Sequence, residues 1–149
     1  MAREAKPKDI DGLIDFLIPF HDDGGYKDIE INRKTIKENL THMLSSKMHK
    51  IWVVERDDEI CAALGVVSNE LWFSKRHYAT NLFLCANNKG RGTAGFLLRR
   101  FKKWTSSRPL IRDVTLGVTS ELGDPERVGR LYKACGFKNL GGVYRLEIR

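Results

Sequence analysis

Cysteine, histidine and long apolar runs are scarce in this 149-residue sequence, and their scarcity excludes several classes of protein. The three cysteines are too few and too scattered for a disulfide scaffold, and neither they nor the four histidines are grouped at the spacing of zinc ligands. No apolar run approaches the roughly 18 residues that a membrane-spanning helix needs, and residues 1–11 lack the apolar stretch of a secretory signal. We therefore expect a cytoplasmic protein that holds no metal ion and does not enter a membrane.

Repeats, low-complexity tracts and proline- or serine-rich linkers are also missing, so residues 1–149 are expected to form one domain. The composition, 42% apolar and 30% charged, is ordinary for a globular domain. Negative charge is in deficit, because 26 lysines and arginines outnumber 19 aspartates and glutamates and give a formal net charge of +7. This excess favours an anionic partner, either a phosphate-bearing cofactor or a nucleic acid.

The spacing of apolar residues predicts the secondary structure. The segments with helical periodicity are 10–17, ending near Pro19, then 36–44, 94–104 and 125–135. The segments with the apolar content of strands are 51–55, 60–67, 78–86, 114–118 and 144–148. Asn32 and Asp124 are expected to cap the second and fourth helices, and Asp57-Asp58 to turn a hairpin. This order predicts an α/β protein whose mixed central sheet is flanked by helices on both faces.

A glycine-rich turn, residues 87–92, lies between a predicted strand and a predicted helix. Such a turn points unpaired backbone N–H groups at one place, and the helix dipole adds partial positive charge there. Gly90 and Gly92 would let a pyrophosphate approach the backbone, and Lys89 and Arg91 would add charge. No Gly-Lys-Ser/Thr follows, so the turn is not a P-loop. The alternative is a tight strand-to-helix turn with no ligand.

Two elements of the sequence resemble the GNAT superfamily of N-acetyltransferases. Residues 87–92 occupy the place of the family's acyl-CoA loop, Q/R-x-x-G-x-G/A, and residues 131–137, Leu-Tyr-Lys-Ala-Cys-Gly-Phe, are similar to its L-Y-x-x-x-G-F segment. The predicted order of elements follows the family along essentially the whole chain. The sequence departs from the family at Asn87, where Gln or Arg is usual, and at Pro125, where many members carry Asn.

The resemblance implies an acetyl-CoA-dependent N-acetyltransferase with a GNAT (acyl-CoA N-acyltransferase) fold. It also implies that the pantetheine arm lies along the backbone of Leu84, Cys85 and Ala86. The residues that would then surround the pyrophosphate are Asn87, Asn88, Lys89, Gly90, Arg91, Gly92 and Thr93. Acetyl-CoA is thus the expected cosubstrate, and it accounts for part of the excess positive charge without a nucleic acid.

The reaction implied by the resemblance is direct attack of an amine on the thioester. Tyr132 matches the tyrosine that often serves as the family's acid, and a phenol is protonated at neutral pH; the alternative is a packing residue with a hydrogen-bonded hydroxyl. No carboxylate lies on the predicted strand 78–86, where many relatives place a general base. Glu70, Glu121 or a water relay could take that role.

The amine acceptor is expected to enter beside the loop that joins the first two helices. There Asp22, Asp23, Asp28 and Glu30 could attract a cationic amine, and Tyr26 could pack on it. The alternative is an acidic loop that is merely solvated. The acceptor would be an amine-bearing small molecule or a protein, and a homodimer is compatible with this interpretation.

The sequence also allows two other classes of function. One is a protein with this fold that has lost catalysis and serves as a binding or structural module, as the missing base and Asn87 would allow. The other is a basic nucleic-acid-binding domain, suggested by the cations of residues 96–104, which are Arg99, Arg100, Lys102 and Lys103. The sequence has no helix-turn-helix, zinc or RNA-recognition pattern, so a nucleic acid is not the expected partner.

Overall fold

The computed structural model of the chain describes residues 1–117 and 124–148. Its strands are β1 (Ala2–Glu4), β2 (His49–Arg56), β3 (Glu59–Glu70), β4 (His77–Ala86) and β5 (Ile111–Thr115). Its α-helices are α1 (Ile10–Asp22), α2 (Arg33–Ser45), α3 (Ala94–Ser106) and α4 (Pro125–Ala134), and short 3-10 turns occupy Pro7–Asp9 and Asn88–Gly90. Among the described residues, no helix is long and apolar enough to cross a bilayer.

The five strands form one mixed sheet in the order β1-β2-β3-β4-β5. The pairs β1–β2, β2–β3 and β3–β4 are antiparallel. The pair β4–β5 is parallel, because the chain crosses over through α3 between these two strands. Asp57 and Asp58 turn the β2–β3 hairpin with φ angles of 55° and 61°, a left-handed conformation that aspartate tolerates. The predicted hairpin is therefore confirmed.

Helices cover both faces of the sheet, as predicted. Successive side chains of a strand point to opposite faces, so Trp52 of β2 packs with Phe101 of α3 while Val53 packs with Leu13 of α1 and Leu40 of α2. Burying side chains of this size stabilises the fold by about 1.5–3 kcal/mol each. The predicted α/β architecture with a mixed central sheet is confirmed.

Local signals in the sequence correctly predict where two helices start. The side-chain oxygen of Asn32 accepts a hydrogen bond from the amide of Thr35 at 2.9 Å, and that of Asp124 accepts one from Glu126 at 3.0 Å. The predicted end of α1 near Pro19 is wrong, because the helix continues past this residue. A proline removes one helical hydrogen bond, and burial of the apolar face of α1 outweighs that loss.

The short edge strand β1 has no signal in the sequence, and an ion-pair cluster holds it in place. Arg3 donates two hydrogen bonds to the carboxylate of Asp9, at 2.8 and 2.9 Å, and also pairs with Glu55 of β2. The amide of Lys6 donates to the same aspartate at 2.7 Å. The hydrogen bond from Arg3, assisted by that from Lys6, holds the pKa of Asp9 below its ordinary value despite desolvation.

The strand predictions at the carboxyl-terminal end need correction. The strand expected at 114–118 is observed as β5, shifted toward the amino terminus, and residue 118 lies outside the described residues. The strand expected at 144–148 is wrong, because 137–148 has no regular secondary structure. Its alternating apolar side chains are exposed, at 96% for Tyr144, 84% for Leu146 and 86% for Ile148. Alternation predicts a strand only where a neighbouring strand supplies hydrogen bonds, and within the described residues this segment pairs with none.

Candidate active site

The two parallel strands β4 and β5 run side by side at their start and then part. Their pairing ends at Thr80 and Thr115. Just beyond, the side-chain oxygen of Asn81 accepts a hydrogen bond from the amide of Gly117 at 3.0 Å, which bridges the gap. Within the described residues, segment 82–86 of β4 pairs with β3 alone. Its outer edge therefore offers backbone groups to a ligand.

A β-bulge in β4 lies where the strands part. Gly65 pairs with Phe83 and Val66 with Asn81, so Leu82 is an extra residue in β4. A bulge bends its strand and increases the local twist, which turns β4 away from β5. The Phe83 ring fits over β3 because residue 65 has no side chain, since a Cβ there would lie 2.4 Å from a ring carbon.

The glycine turn after β4 is fixed by hydrogen bonds and by close packing on β3. The Asn87 amide donates to the Cys61 carbonyl at 3.0 Å, and the Asn87 side-chain oxygen accepts from the Gly90 amide at 3.1 Å. A Cβ on Gly90 would lie 2.1 Å from that same carbonyl, so no other residue fits there. Gly92 has φ of +83°, and the space around its Cα is open.

The turn leaves a specific set of backbone donors for an anion. The amides of Gly90 and Thr93 donate to carbonyls within the turn. In contrast, the amides of Gly92, Ala94 and Gly95 donate to no protein group in the part of the chain that the structure describes. The last two open α3, where the helix dipole also favours an anion. Within the predicted run 88–93, the turn itself uses the amides of Gly90, Arg91 and Thr93, whereas those of Asn88, Lys89 and Gly92 donate to no described protein group.

The basic residues of the turn have different surroundings. The Lys89 ammonium lies 3.0 Å from the Glu59 carboxylate in the β2–β3 hairpin, and this hydrogen bond raises the pKa of Lys89. The backbone carbonyl of Lys89 accepts a hydrogen bond from the Arg56 guanidinium at 2.8 Å. Lys89 therefore ties the turn to the hairpin, whereas Arg91 is exposed and forms no ion pair with another described residue.

The predicted pantetheine residues lie on the free edge of β4. Leu84 and Cys85 are buried and Ala86 is exposed. Burial raises the pKa of the Cys85 thiol to about 12. The thiol is therefore protonated at neutral pH and does not act as a thiolate nucleophile.

Tyr132 of α4 reaches the place where β4 and β5 part. Its hydroxyl donates a hydrogen bond to the Gly117 carbonyl at 3.0 Å, and its ring packs against Phe137 with centroids 6.2 Å apart. Burial raises the pKa of Tyr132 to about 12, so the hydroxyl is protonated at neutral pH. The side chain is thus a fixed hydrogen-bond donor at this junction.

Two cavities share Gly117 as a lining residue. The first, here called the α4 cavity, has a volume of about 750 Å³ and is lined by residues that include Thr115, Gly117, Arg130, Tyr132 and Phe137. The second, here called the α1–α2 cavity, has a volume of about 730 Å³ and is lined by residues that include Leu17, Tyr26, Ile36, Asn81, Phe83 and Gly117. Both volumes are within the range of small-molecule sites.

Of the acidic side chains predicted to attract the acceptor, one lines the α1–α2 cavity. Tyr26 and Glu30 line it, but Asp22, Asp23 and Asp28 do not. One face of the Tyr26 ring is already covered by the guanidinium of Arg145, 4.4 Å from the ring centroid. Arg145 also donates a hydrogen bond to the Gly25 carbonyl at 3.1 Å. No sequence signal relates these two segments, because they are distant in the chain.

The structure does not bring the predicted base Glu70 to the cavities. Glu70 pairs with His77 at the opposite end of β4 from the bulge, and it lines neither cavity. Glu121 lies outside the described residues. His21 lines the α1–α2 cavity, and its buried Nδ1 has no hydrogen-bond partner among the described groups. The sequence analysis does not single out His21, which is an isolated histidine in a polar loop.

The cations of α3 mostly serve the fold. Arg100 donates two hydrogen bonds to the Ala2 carbonyl, at 2.8 and 3.2 Å, which anchors β1. Lys102 donates to the Cys135 carbonyl at 2.8 Å, at the end of α4. Arg99 lies over the Phe96 ring. These contacts give the basic stripe a structural role that needs no nucleic acid.

Comparison with known proteins identifies the fold. No protein-family model matches the sequence, and no curated protein matches it. The chain is similar to a predicted acetyltransferase with acetyl-CoA from Clostridium acetobutylicum, at 22% identity and a TM-score of 0.69, covering 99% of this chain and 95% of the other. It is also similar to a glucosamine-6-phosphate N-acetyltransferase from Arabidopsis thaliana, at 14% identity and a TM-score of 0.74, covering 100% and 98%.

A third similar structure bears a different description, a transcriptional regulator from Bacillus halodurans, at 19% identity and a TM-score of 0.76, covering 99% of each chain. The chain therefore has the GNAT acetyltransferase fold, as the sequence resemblance implies. At these identities the similarity establishes the fold alone, and activity depends on the site.

Proposed function

We propose that the protein is an acetyl-CoA-dependent N-acetyltransferase that transfers an acetyl group to a primary amine, works without a metal ion and consists of one domain, residues 1–149. The observation that carries this proposal is the parting of β4 and β5, where the outer edge of β4 leads to the glycine turn and the Tyr132 hydroxyl lies at Gly117, which also lines the α1–α2 cavity. A two-substrate transfer needs the two reactants held close together at one point. The Clostridium acetobutylicum structure of the same fold contains acetyl-CoA.

The described residues fit acetyl-CoA as cosubstrate. The free edge of β4 at Leu84, Cys85 and Ala86 offers backbone groups to the amides of the pantetheine arm. The open space at Gly92 and the free amides at the start of α3 suit a pyrophosphate, with Arg91 beside them. Lys89 would hold the turn in shape through Glu59 and contribute charge without direct contact. Acetyl-CoA supplies the thioester whose carbonyl carbon the amine attacks.

Tyr132 would stabilise the sulfur that leaves in this reaction. A pKa of about 12 exceeds that of a thiol, about 8.5, so complete transfer of the phenolic proton to the thiolate is uphill by about 5 kcal/mol. The hydroxyl has one proton, which the Gly117 carbonyl accepts; if the hydroxyl turned from this carbonyl to the sulfur, the new hydrogen bond would lower the energy of the developing thiolate without that transfer. We therefore assign Tyr132 the role of hydrogen-bond donor to sulfur. For the amine proton, the water relay and Glu121 stay predictions.

Calorimetric titration with acetyl-CoA tests the proposal, with Gly92→Trp as the decisive variant. The indole would occupy the open space assigned to the pyrophosphate, so we expect micromolar binding by the wild type and none by the variant. Gly92→Ala is the matched control, because it carries the same positive-φ strain, about 1–2 kcal/mol, without the bulk. Unchanged affinity in Gly92→Trp would contradict the placement, and absence of binding by the wild type would overturn the proposal.

A non-catalytic binding module is the second candidate, and the Asn87 side chain favours it. The family usually carries Gln or Arg at this position. Here the shorter side chain of Asn87 accepts a hydrogen bond from the Gly90 amide inside the turn. Acetyl-CoA binding without turnover on any amine would select this second function. Thiol release in the presence of an amine would exclude it.

A further inference from the structure

The α1–α2 cavity has an apolar wall on several sides. Leu17, Ile18 and Phe20 come from α1, Ile29 from the following loop, Ile36 from α2 and Phe83 from the bulged strand β4. Water in such a cavity is readily displaced by an apolar group, and the gain grows with the apolar area that is covered. The cavity is therefore suited to a ligand with an apolar body.

The polar groups of the same cavity are few, and some are already used. Glu30 is its one carboxylate among the described lining residues. The side-chain oxygen of Asn32 already accepts a hydrogen bond from the Thr35 amide at the start of α2, and that of Asn81 accepts one from the Gly117 amide. A polyamine brings several charges and a sugar brings several hydroxyls, and each of these groups that is left without a partner weakens binding. Glu30 can balance one positive charge and the unpartnered Nδ1 of His21 can take part in one further hydrogen bond, so the cavity suits a ligand with few polar groups.

We propose that the acceptor is a primary monoamine carried on an apolar alkyl or aryl body, an inference that rests on the proposed acetyltransferase function. The body lies between α1, α2 and Phe83, and the amino group points to Gly117, whose carbonyl accepts a hydrogen bond from the Tyr132 hydroxyl. The neutral amine nitrogen attacks the thioester carbonyl carbon. The C–N bond forms, the C–S bond breaks, the sulfur leaves as thiolate, and the nitrogen gives one proton to solvent. The products are an N-substituted acetamide and coenzyme A.

The experiment compares kcat/KM for four amines with acetyl-CoA, measured by thiol release. We expect 2-phenylethylamine and hexylamine to exceed spermidine and glucosamine 6-phosphate by about 10- to 100-fold, the effect of burying one large apolar group. Preference for spermidine or the amino sugar would overturn this inference and leave the acetyltransferase function standing.

A matched pair of variants localises the effect. Ile29 lines the cavity and is 60% exposed, so Ile29→Ser is compatible with folding. It should raise KM for 2-phenylethylamine several-fold with little change in kcat or in acetyl-CoA affinity. Leu110→Ser is the control, because Leu110 is 51% exposed at the start of β5 and does not line the cavity. An equal effect of both substitutions would overturn the placement.

Direct binding of 2-phenylethylamine separates this inference from the function on which it rests. If the wild type neither binds acetyl-CoA nor acetylates any amine, the proposed function fails. The cavity is then tested by calorimetric titration with 2-phenylethylamine alone. Binding that Ile29→Ser weakens and Leu110→Ser does not would support an apolar amine site, and absence of binding would overturn it.

Discussion

Replacing Tyr132 with phenylalanine separates a stability effect from a catalytic effect at the same atom. The hydroxyl donates one hydrogen bond, to the Gly117 carbonyl at 3.0 Å, and the ring is buried. Because phenylalanine keeps the ring, the loss to stability is that of one neutral hydrogen bond, about 0.5–1.5 kcal/mol. Urea unfolding should therefore show a lower midpoint with an unchanged slope.

The expected effect of Tyr132→Phe on turnover is larger. Removing one preorganised donor to a developing negative charge costs about 10²–10³-fold in kcat, or about 2.7–4 kcal/mol. The affinity for acetyl-CoA should not change, because the proposed cosubstrate contacts are made by the β4 edge and the glycine turn. Initial rates of thiol release with an amine give kcat, and calorimetric titration gives the affinity.

The matched control is Tyr144→Phe, since Tyr144 is 96% exposed, and neither stability nor kcat should change. The pH profile is a second check. With the pKa of Tyr132 at about 12, the hydroxyl keeps its proton, so wild-type kcat should not fall between about pH 8 and pH 10 through this group. Wild-type kcat in Tyr132→Phe, or a loss confined to acetyl-CoA affinity, would refute the role of hydrogen-bond donor to sulfur.

Two further predictions concern the fold that supports the site. Gly90→Ala should destabilise the protein by at least about 2 kcal/mol and weaken acetyl-CoA binding, because the added Cβ would lie 2.1 Å from the Cys61 carbonyl of β3. The control is Gly95→Ala, whose added Cβ meets open space, so this variant should retain wild-type stability. Equal thermal midpoints for the two variants would contradict the packing argument. Because folding lowers the pKa of Asp9, its carboxylate stabilises the fold above the ordinary aspartate pKa of about 3.9, and this contribution is lost as the pH falls through the lowered value. Asp9→Asn should therefore cost about 1.5–3 kcal/mol at pH 7, since the hydrogen bonds from Arg3 lose their charged acceptor. Chemical unfolding at decreasing pH should show this cost shrinking as the pH falls below the ordinary aspartate value. A cost that is the same at neutral and acid pH would contradict the prediction.

The site was predictable from the sequence only where its geometry is local. The turn at 87–92 is recognisable from its glycines and its place between a strand and a helix. The internal use of the Gly90 amide and the contact of Lys89 with Glu59 depend on the packing of the turn against β3 and the hairpin. Those neighbours are distant in sequence, so the spacing of residues could not show which amides and charges remain for a ligand.

What the sequence alone determined is the order and type of most elements, because hydrophobic periodicity, the caps at Asn32 and Asp124 and the Asp57-Asp58 turn act over a few residues. Tertiary structure alone decided the rest. It placed β1 on the sheet edge through Arg3, left 144–148 without a strand partner among the described residues, and gave the α1–α2 cavity an apolar wall although the loop beside it is acidic. These outcomes depend on which distant segments meet, and the free energy of such contacts is not encoded in any single stretch of the chain.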